Sequence, residues 1–113
     1  DGRAVDPVAA AAAMRPYVAA GLTTFDMADH YGSAEVIAGT YRALHRDRQR
    51  DGGDAPPVEC LTKWVPPPGP VTREDARDAV ERACARLCTE RLDLLQLHAW
   101  RFSDFAWLDA LAW

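Results

Sequence analysis

Three short apolar stretches alternate along the chain with longer stretches in which apolar residues recur every three or four positions. The short stretches are rich in leucine, β-branched and aromatic residues, which is typical of strands: Leu22–Ala28, Val58–Val65 and Leu92–His98. In the longer stretches between these strands, apolar residues recur every three or four positions, which predicts helices. The third strand is apolar enough that we expect it to be covered on both faces. This order predicts an α/β fold with a parallel sheet and right-handed crossovers.

The predicted helices carry recognisable start and stop signals. Asp6-Pro7 supplies a cap and a proline for the first helix, Pro16 predicts a kink or restart, and Gly21 ends the segment. Ser33 is the expected cap of the next helix. The apolar stripe of that helix consists of Val36, Ile37, Thr40, Tyr41 and Leu44. Arg46–Pro57 is polar and rich in Gly, Asp and Pro, so we expect a surface loop.

The second half of the chain continues the pattern. Thr72-Arg-Glu-Asp75 has the form of a capping box with Asp in the usual Glu position. We expect the buried stripe of the helix that follows to consist of Ala76, Val80, Ala83, Cys84 and Leu87. The proline-rich segment Pro66–Pro70 is expected to be a rigid spacer. A further helix is expected from Asp104.

Composition narrows the classes of partner and compartment. The chain has 113 residues, 49% hydrophobic and 27% charged, which suits one globular domain. A net charge of −4 does not favour a nucleic-acid or anionic-membrane partner, and no apolar run approaches the ~20 residues of a membrane helix. The 3 cysteines favour reduced thiols and a cytoplasmic location. Cys84 and Cys88, four apart, are expected to share a helix face as small core residues.

A polar side chain stands at or just beyond the end of each predicted strand. Asp26 ends the first strand, Tyr31 follows in the adjoining loop, Lys63 is near the end of the second strand, and His98 ends the third. The carboxyl ends of parallel strands meet at one rim, so we expect these four side chains to converge. Individually each has an ordinary structural explanation, such as a turn cap for Asp26 or an exposed surface position for Lys63.

Three motifs add a family resemblance. The segment Gly21-Leu-Thr-Thr-Phe-Asp-Met-Ala-Asp-His-Tyr-Gly32, with Ser33-Ala-Glu35 after it, resembles the aldo-keto reductase family. Thr62-Lys63-Trp64 resembles that family's lysine strand, and Arg91–His98 resembles its histidine strand. The resemblance implies a (β/α)₈ barrel that reduces small-molecule carbonyl substrates with NADPH. It also implies that the catalytic residues are Asp26, Tyr31, Lys63 and His98.

The resemblance assigns roles that are chemically reasonable. A phenol such as that of Tyr31 is a weak acid near neutral pH, and a nearby ammonium such as that of Lys63 favours the phenolate. Asp26 would hold Lys63 and is also the one expected cofactor contact. His98 would orient the carbonyl oxygen. Trp64 and Trp100 follow the lysine and histidine positions, where lining of the substrate pocket and simple packing are equally reasonable expectations.

The expected fold is therefore a partial (β/α)₈ TIM barrel, with about three parallel strands and alternating helices over residues 1–113. A full barrel has eight strands and usually about 250 residues. The sequence lacks an initiator Met, and we expect it to be the N-terminal portion of a larger gene product. Open parallel edges in such a portion favour self-association.

The sequence is also compatible with two other functions. The first is a catalytically inactive fragment or pseudoenzyme that acts only through protein binding. The second is a metal-dependent barrel hydrolase using Asp26, His30 and His98, which the absence of a His-x-His pair makes the weaker alternative. Asp29 and His30 are otherwise expected to be turn-forming loop residues.

Overall fold

The structure is a computed structural model and describes residues 5–53, 56–101, 103 and 105–112. Helices and strands alternate along this part of the chain. In order they are α1 (Pro7–Ala13), α2 (Arg15–Ala19), β1 (Thr24–Asp26), α3 (Ala34–Arg50), β2 (Glu59–Trp64), α4 (Arg73–Arg86), β3 (Leu94–Leu97) and a 3₁₀ helix (Ala106–Ala112).

The three strands form one parallel sheet in the order β1-β2-β3. This confirms the predicted α/β fold class, an open portion of a barrel-like sheet. Asp26 pairs with Leu61, and Lys63 pairs with Gln96. Each strand is shorter than predicted, but backbone pairing continues past the end of β1, where the Met27 N–H donates to the Leu61 carbonyl at 2.8 Å. The loop after β1 is therefore fastened to β2.

The core lies between the sheet and the helices. Phe25 and Cys60, which are paired across β1 and β2, pack with residues of α3 such as Ala38 and with Leu87 at the end of α4. A neighbouring cluster joins α1, α2 and α3 through Ala11, Val18 and Tyr41. Burial drives this packing because each of these side chains removes apolar surface from water.

The expectation that the third strand is covered on both faces is wrong for the described part of the chain. Leu94 at the start of β3 is 46% exposed, and Thr24 and Asp26 on β1 are also exposed. Successive strand residues point to opposite faces, so Thr24, Asp26 and Leu94 belong to a face that the described helices do not cover. We call this the open face of the sheet.

The first helical segment restarts near Pro16, as predicted. α1 ends at Ala13 and α2 begins at Arg15, with Gly21 in a left-handed conformation after it. The segment is split because proline cannot donate the backbone hydrogen bond that would continue the helix.

α3 differs from its prediction in two respects. It continues to Arg50, so the loop expected from Arg46 begins only after it. Its buried residues include Glu35 and His45, whereas Val36 is 38% exposed. The buried face is therefore rotated from the predicted one, and Glu35 on it bonds to Thr62 and Arg86. Ser33 occupies the N-cap position, but its side chain makes no capping hydrogen bond.

α4 begins with the predicted capping box between Thr72 and Asp75. Ala83 and Leu87 of its predicted stripe are buried, as expected, but Val80 is 38% exposed and Ala79 is buried instead. The final predicted helix is a 3₁₀ helix from Ala106, and Asp104 lies outside the described residues.

Cys84 and Cys88 do not share a helix face, contrary to prediction. Cys84 lies on α4, but Cys88 follows the helix end with a positive φ of 50°. Both thiols are free, as is that of the buried Cys60. Burial raises the pKa of the Cys60 thiol, so this side chain stays protonated at neutral pH and serves as a small core residue.

An ion pair holds the amino-terminal end of β3, on the side of the sheet away from the carboxyl ends of the strands. The Arg42 side chain on α3 bonds the carboxylate of Asp93, which also accepts the Cys60 N–H at 2.8 Å.

Within the described ranges, none of the helices combines the length and apolar character needed to span a bilayer.

Candidate active site

An ion pair joins the carboxyl ends of β1 and β2. Asp26 and Lys63 lie on the same face because Lys63 is two residues beyond Leu61, the partner of Asp26. The Lys63 Nζ donates to the Asp26 Oδ2 at 2.6 Å and to the Met27 carbonyl at 2.9 Å. The Lys63 side chain is 14% exposed and that of Asp26 is 57% exposed. The ammonium is therefore held by two acceptors while the carboxylate remains open to solvent.

Tyr31 lies above this pair in the loop that leaves β1. The Lys63 Nζ is 5.6 Å from the centre of the Tyr31 ring. The Tyr31 N–H donates to the Ala28 carbonyl at 3.1 Å, and Gly32 follows with a φ of 56°. This conformation suits glycine and turns the chain into α3. The structure thus brings Asp26, Lys63 and Tyr31 together, with half of the Tyr31 surface exposed.

His98 comes directly after β3 and is attached to the end of β2. Its N–H donates to the Trp64 carbonyl at 2.9 Å. Gln96 pairs with Lys63, so alternation along the strand directs Gln96 and His98 to the same face as Lys63. Gln96 was missed from the sequence as a neighbour of the site. Its spacing of two from His98 is the signal that identifies it.

His30 links the tyrosine to the histidine position. Its ring lies edge-on to Tyr31 with centroids 4.8 Å apart, 5.7 Å from the Trp100 ring and 6.4 Å from the His98 ring. The His30 Nδ1 and Asp29 Oδ1 are 3.0 Å apart. His30 was expected to be a turn-forming loop residue, or a metal ligand in the hydrolase alternative, and the structure adds it to the aromatic cluster around Tyr31.

The two tryptophans occupy different surroundings. Trp100 is 66% exposed, with its ring centroid 4.9 Å from that of His98, so it joins the aromatic cluster at the rim. Trp64 is half-buried and lines a groove with Val80 of α4 and Leu95 of β3. Alternation along β2 separates Trp64 from Lys63, because consecutive strand residues point to opposite faces. Of the two, only Trp100 has ring contacts with the histidines in the described part of the chain.

The metal-hydrolase alternative requires a group of metal-binding side chains at the rim. Within the residues that the structure describes, no three His, Cys, Asp or Glu side chains are grouped so that they could hold a metal ion. The site instead combines an ammonium, a carboxylate, a phenol and imidazoles. These groups suit proton transfer and hydrogen bonding to an oxygen atom.

Parallel α/β sheets with polar groups at the carboxyl ends of their strands are found in barrel and open-sheet enzymes. The sequence profile of the Aldo/keto reductase family matches residues 1–111, nearly the whole chain. The chain belongs to this family, which confirms the resemblance seen in its motifs. None of the curated protein sequences compared with it matches. The family consists of oxidoreductases that act on small carbonyl compounds and typically use NAD(P)H.

Proposed function

We propose that this chain supplies the proton-donating rim of an NADPH-dependent carbonyl reductase, with Tyr31 as the proton donor. The reaction is the reduction of an aldehyde or ketone to an alcohol. The observation that carries this proposal is the position of the Lys63 ammonium, which lies 2.6 Å from the Asp26 carboxylate and 5.6 Å from the Tyr31 ring centre.

Each side chain has a chemical task in this reaction. Hydride addition to the carbonyl carbon leaves negative charge on the oxygen, and Tyr31 transfers its phenolic proton to that oxygen. Lys63 stabilises the resulting phenolate, and Asp26 holds the ammonium in place. His98 donates a hydrogen bond that orients the carbonyl oxygen. Solvent then returns a proton to Tyr31, which restores the starting state.

The described residues fit one end of the nicotinamide cofactor. The Asp26 side chain is 57% exposed, so its carboxylate can accept hydrogen bonds from ribose hydroxyl groups. No Gly-x-Gly-x-x-Gly segment follows any of the strands, so the chain offers no such phosphate-binding loop. We therefore assign only the nicotinamide-ribose end to this chain. When bound, the reduced nicotinamide supplies the hydride.

The substrate side of the rim is aromatic. Trp100 and His98 lie together, and His30 connects them to Tyr31. Such a surface favours carbonyl compounds with an apolar or aromatic body. Trp64, the other residue expected from the sequence to line a substrate pocket, faces the groove on the opposite side of β2, so we assign the substrate contact to Trp100.

The experiment that tests this function is a paired measurement on the intact protein. NADPH oxidation is followed with a panel of aldehydes and ketones, and NADPH binding is titrated by calorimetry. We expect carbonyl-dependent oxidation and saturable binding. Binding without turnover on any member of a broad panel contradicts the reductase assignment.

A second candidate function is a catalytically inactive protein that acts through protein binding. The observation in its favour is that β1 and β3 are the outer strands of the sheet, so that within the described residues each is paired on one side alone. Unpaired strand edges promote pairing with another chain. We expect such a protein to self-associate, as measured by light scattering after gel filtration, and not to bind NADPH. Tight NADPH binding by the chain therefore counts against this candidate.

A further inference from the structure

The loop that carries Tyr31 is fastened to β2 through Asp29. The Asp29 N–H donates to the Lys63 carbonyl at 3.0 Å, and the Val65 N–H donates to the Asp29 Oδ2 at 3.2 Å. Asp29 thereby takes part in a short extension of the β1–β2 pairing, two residues before Tyr31. The position of the phenol ring depends on how firmly this segment is held.

A buried carboxylate lies behind the same loop. Glu35, in the first turn of α3, is 3% exposed. One of its oxygens accepts from the Thr62 hydroxyl at 2.6 Å, and the other accepts from the Arg86 guanidinium at 3.1 Å. The same Arg86 nitrogen lies 3.4 Å from the Asp29 carbonyl, to which it donates. A buried charge is costly unless it is paired and hydrogen-bonded, and Glu35 meets both conditions.

The close approach of α4 to α3 makes this contact possible. Gly39 lies one turn after Glu35 on α3, and a Cβ atom placed there would be 1.9 Å from the Arg86 carbonyl oxygen. Only glycine leaves room for the end of α4 at this point. The backbone of Arg86 therefore packs directly on α3, which places its guanidinium within reach of Glu35.

Packing alone does not hold the loop. A cavity of about 360 Å³ lies between the loop and α4, lined by Asp29, Val65, Ala79 and Arg86 among others. Asp29 thus faces open space on this side instead of a filled core. Where close packing is lacking, hydrogen bonds set its position: the Asp29 N–H donates to the Lys63 carbonyl, and Asp29 accepts from Val65 and Arg86.

We infer that Glu35 is a positioning residue of the reductase site, which acts through Arg86 to hold the Asp29–Tyr31 segment over Lys63. Thr62 immediately precedes Lys63 on β2, so the same carboxylate contacts both the strand that carries the ammonium and the arginine that binds the loop. The inference rests on the proposed function for its catalytic consequence. The restraint on the loop follows from the contacts themselves.

Amide hydrogen exchange measured by NMR on the intact, ¹⁵N-labelled protein tests the restraint. In Glu35→Ala we expect the Asp29 and Val65 amides to exchange at least about tenfold faster, since local opening is no longer resisted. The Glu59 amide, bonded to the Thr23 carbonyl at the other end of the sheet, should change by less than about threefold. The conservative variant Glu35→Gln keeps an acceptor for Arg86 and should restore slow exchange.

Two results overturn the inference. One is unchanged exchange of Asp29 and Val65 in Glu35→Ala. The other is acceleration of Glu59 by the same factor, which indicates general destabilisation instead of local release. If Glu35→Ala does not fold, Arg86→Ala combined with Glu35→Gln gives the same reading, because it removes the bond to the Asp29 carbonyl without leaving an unpaired charge at the buried position 35.

Kinetics separate this inference from the proposed function. If Tyr31→Phe retains turnover, the proton-donor assignment fails, whatever the exchange data show. If Tyr31→Phe abolishes turnover, we expect Glu35→Ala to lower kcat about tenfold or more with little change in KM, because a misplaced group affects the chemical step. Unchanged kcat in Glu35→Ala then contradicts the positioning role alone.

Discussion

The Lys63 ammonium lies 2.6 Å from the Asp26 carboxylate, although Lys63 is two residues beyond the strand partner of Asp26. The two residues share the open face of the sheet, so the long lysine side chain reaches diagonally across to β1. The Met27 carbonyl, at 2.9 Å, provides the second acceptor. This geometry leaves the ammonium little freedom and directs it towards the loop of Tyr31.

Replacing Asp26 by Asn removes the charge partner of Lys63. We expect turnover to fall about 100-fold in Asp26→Asn, because the ammonium is no longer held in the position that serves Tyr31. The free energy of unfolding should fall by only about 1 kcal/mol or less, since the carboxylate is 57% exposed. Steady-state kinetics and urea denaturation measure the two effects.

Glu59→Gln is the matched control for Asp26→Asn. Glu59 lies on the same face at the other end of β2, and its carboxylate accepts a hydrogen bond from Thr24 at 3.4 Å. The Glu59→Gln variant should leave turnover unchanged. Equal losses in both variants would point to a general electrostatic effect and not to the specific pair.

The sheet and the rim were predictable from sequence because their signals are local. Apolar strands alternate with helical periodicity, and polar residues stand where the strands end. Parallel pairing then brings Asp26 and Lys63 together, although only the structure supplies the distance. The capping box of Thr72 and Asp75 was equally predictable, because it depends on residues three apart.

Features that depend on contacts between distant segments were not predictable. The sequence position of Glu35 suggests an acidic residue in the first turn of a helix. In the structure Glu35 is buried, and Thr62 and Arg86 supply its hydrogen bonds. These partners lie 27 and 51 residues away. His30 likewise gains its neighbours only when β3 brings His98 and Trp100 to the rim. Helix periodicity could not indicate either arrangement.

Gly39→Ala should destabilise the protein despite the higher helix propensity of alanine. The added Cβ would lie 1.9 Å from the Arg86 carbonyl oxygen, so α4 must shift. We expect a net loss of about 1–3 kcal/mol in the free energy of unfolding, measured by urea denaturation. Ala43→Gly, at a half-buried position on the same helix, controls for propensity alone and should cost about 1 kcal/mol. Stabilisation by Gly39→Ala would disprove the close packing.

The capping box of α4 gives a pH-dependent contribution to stability. Hydrogen bonds from the Thr72 side chain and backbone lower the pKa of Asp75, so the folded state favours the ionised carboxyl. The resulting stability is present above the unfolded pKa of about 3.9 and is lost as pH falls through the folded pKa. Asp75→Asn should therefore be less stable than the wild type near neutral pH, with the difference shrinking below about pH 4.

Urea denaturation across pH measures this difference. Asp78→Asn, on the exposed face of the same helix, serves as the control and should not reproduce the trend. A difference between Asp75→Asn and the wild type that stays constant down to about pH 2 would contradict the assignment. Near neutral pH, Thr72→Ala should cost about 1 kcal/mol through loss of the N-cap.

Trp100→Ala should affect substrate binding more than the chemical step. We expect KM for a bulky aromatic aldehyde to rise about tenfold, with a smaller change for a short aliphatic aldehyde that cannot reach the indole. Trp64→Ala is the matched control and should leave KM nearly unchanged, because Trp64 lines a groove with Val80 and Leu95 on the opposite face of β2. Equal effects on both aldehydes would remove Trp100 from the substrate site.

Turnover of Tyr31→Phe in the intact protein, measured as carbonyl-dependent NADPH oxidation, tests the central assignment most directly. The substitution removes only the hydroxyl of a half-exposed ring, and Tyr17→Phe, at an exposed position on α2, is its matched control. We expect kcat to fall at least about 100-fold in Tyr31→Phe while the Kd for NADPH stays the same. A Tyr31→Phe protein that reduces carbonyl compounds at the wild-type rate would contradict the account.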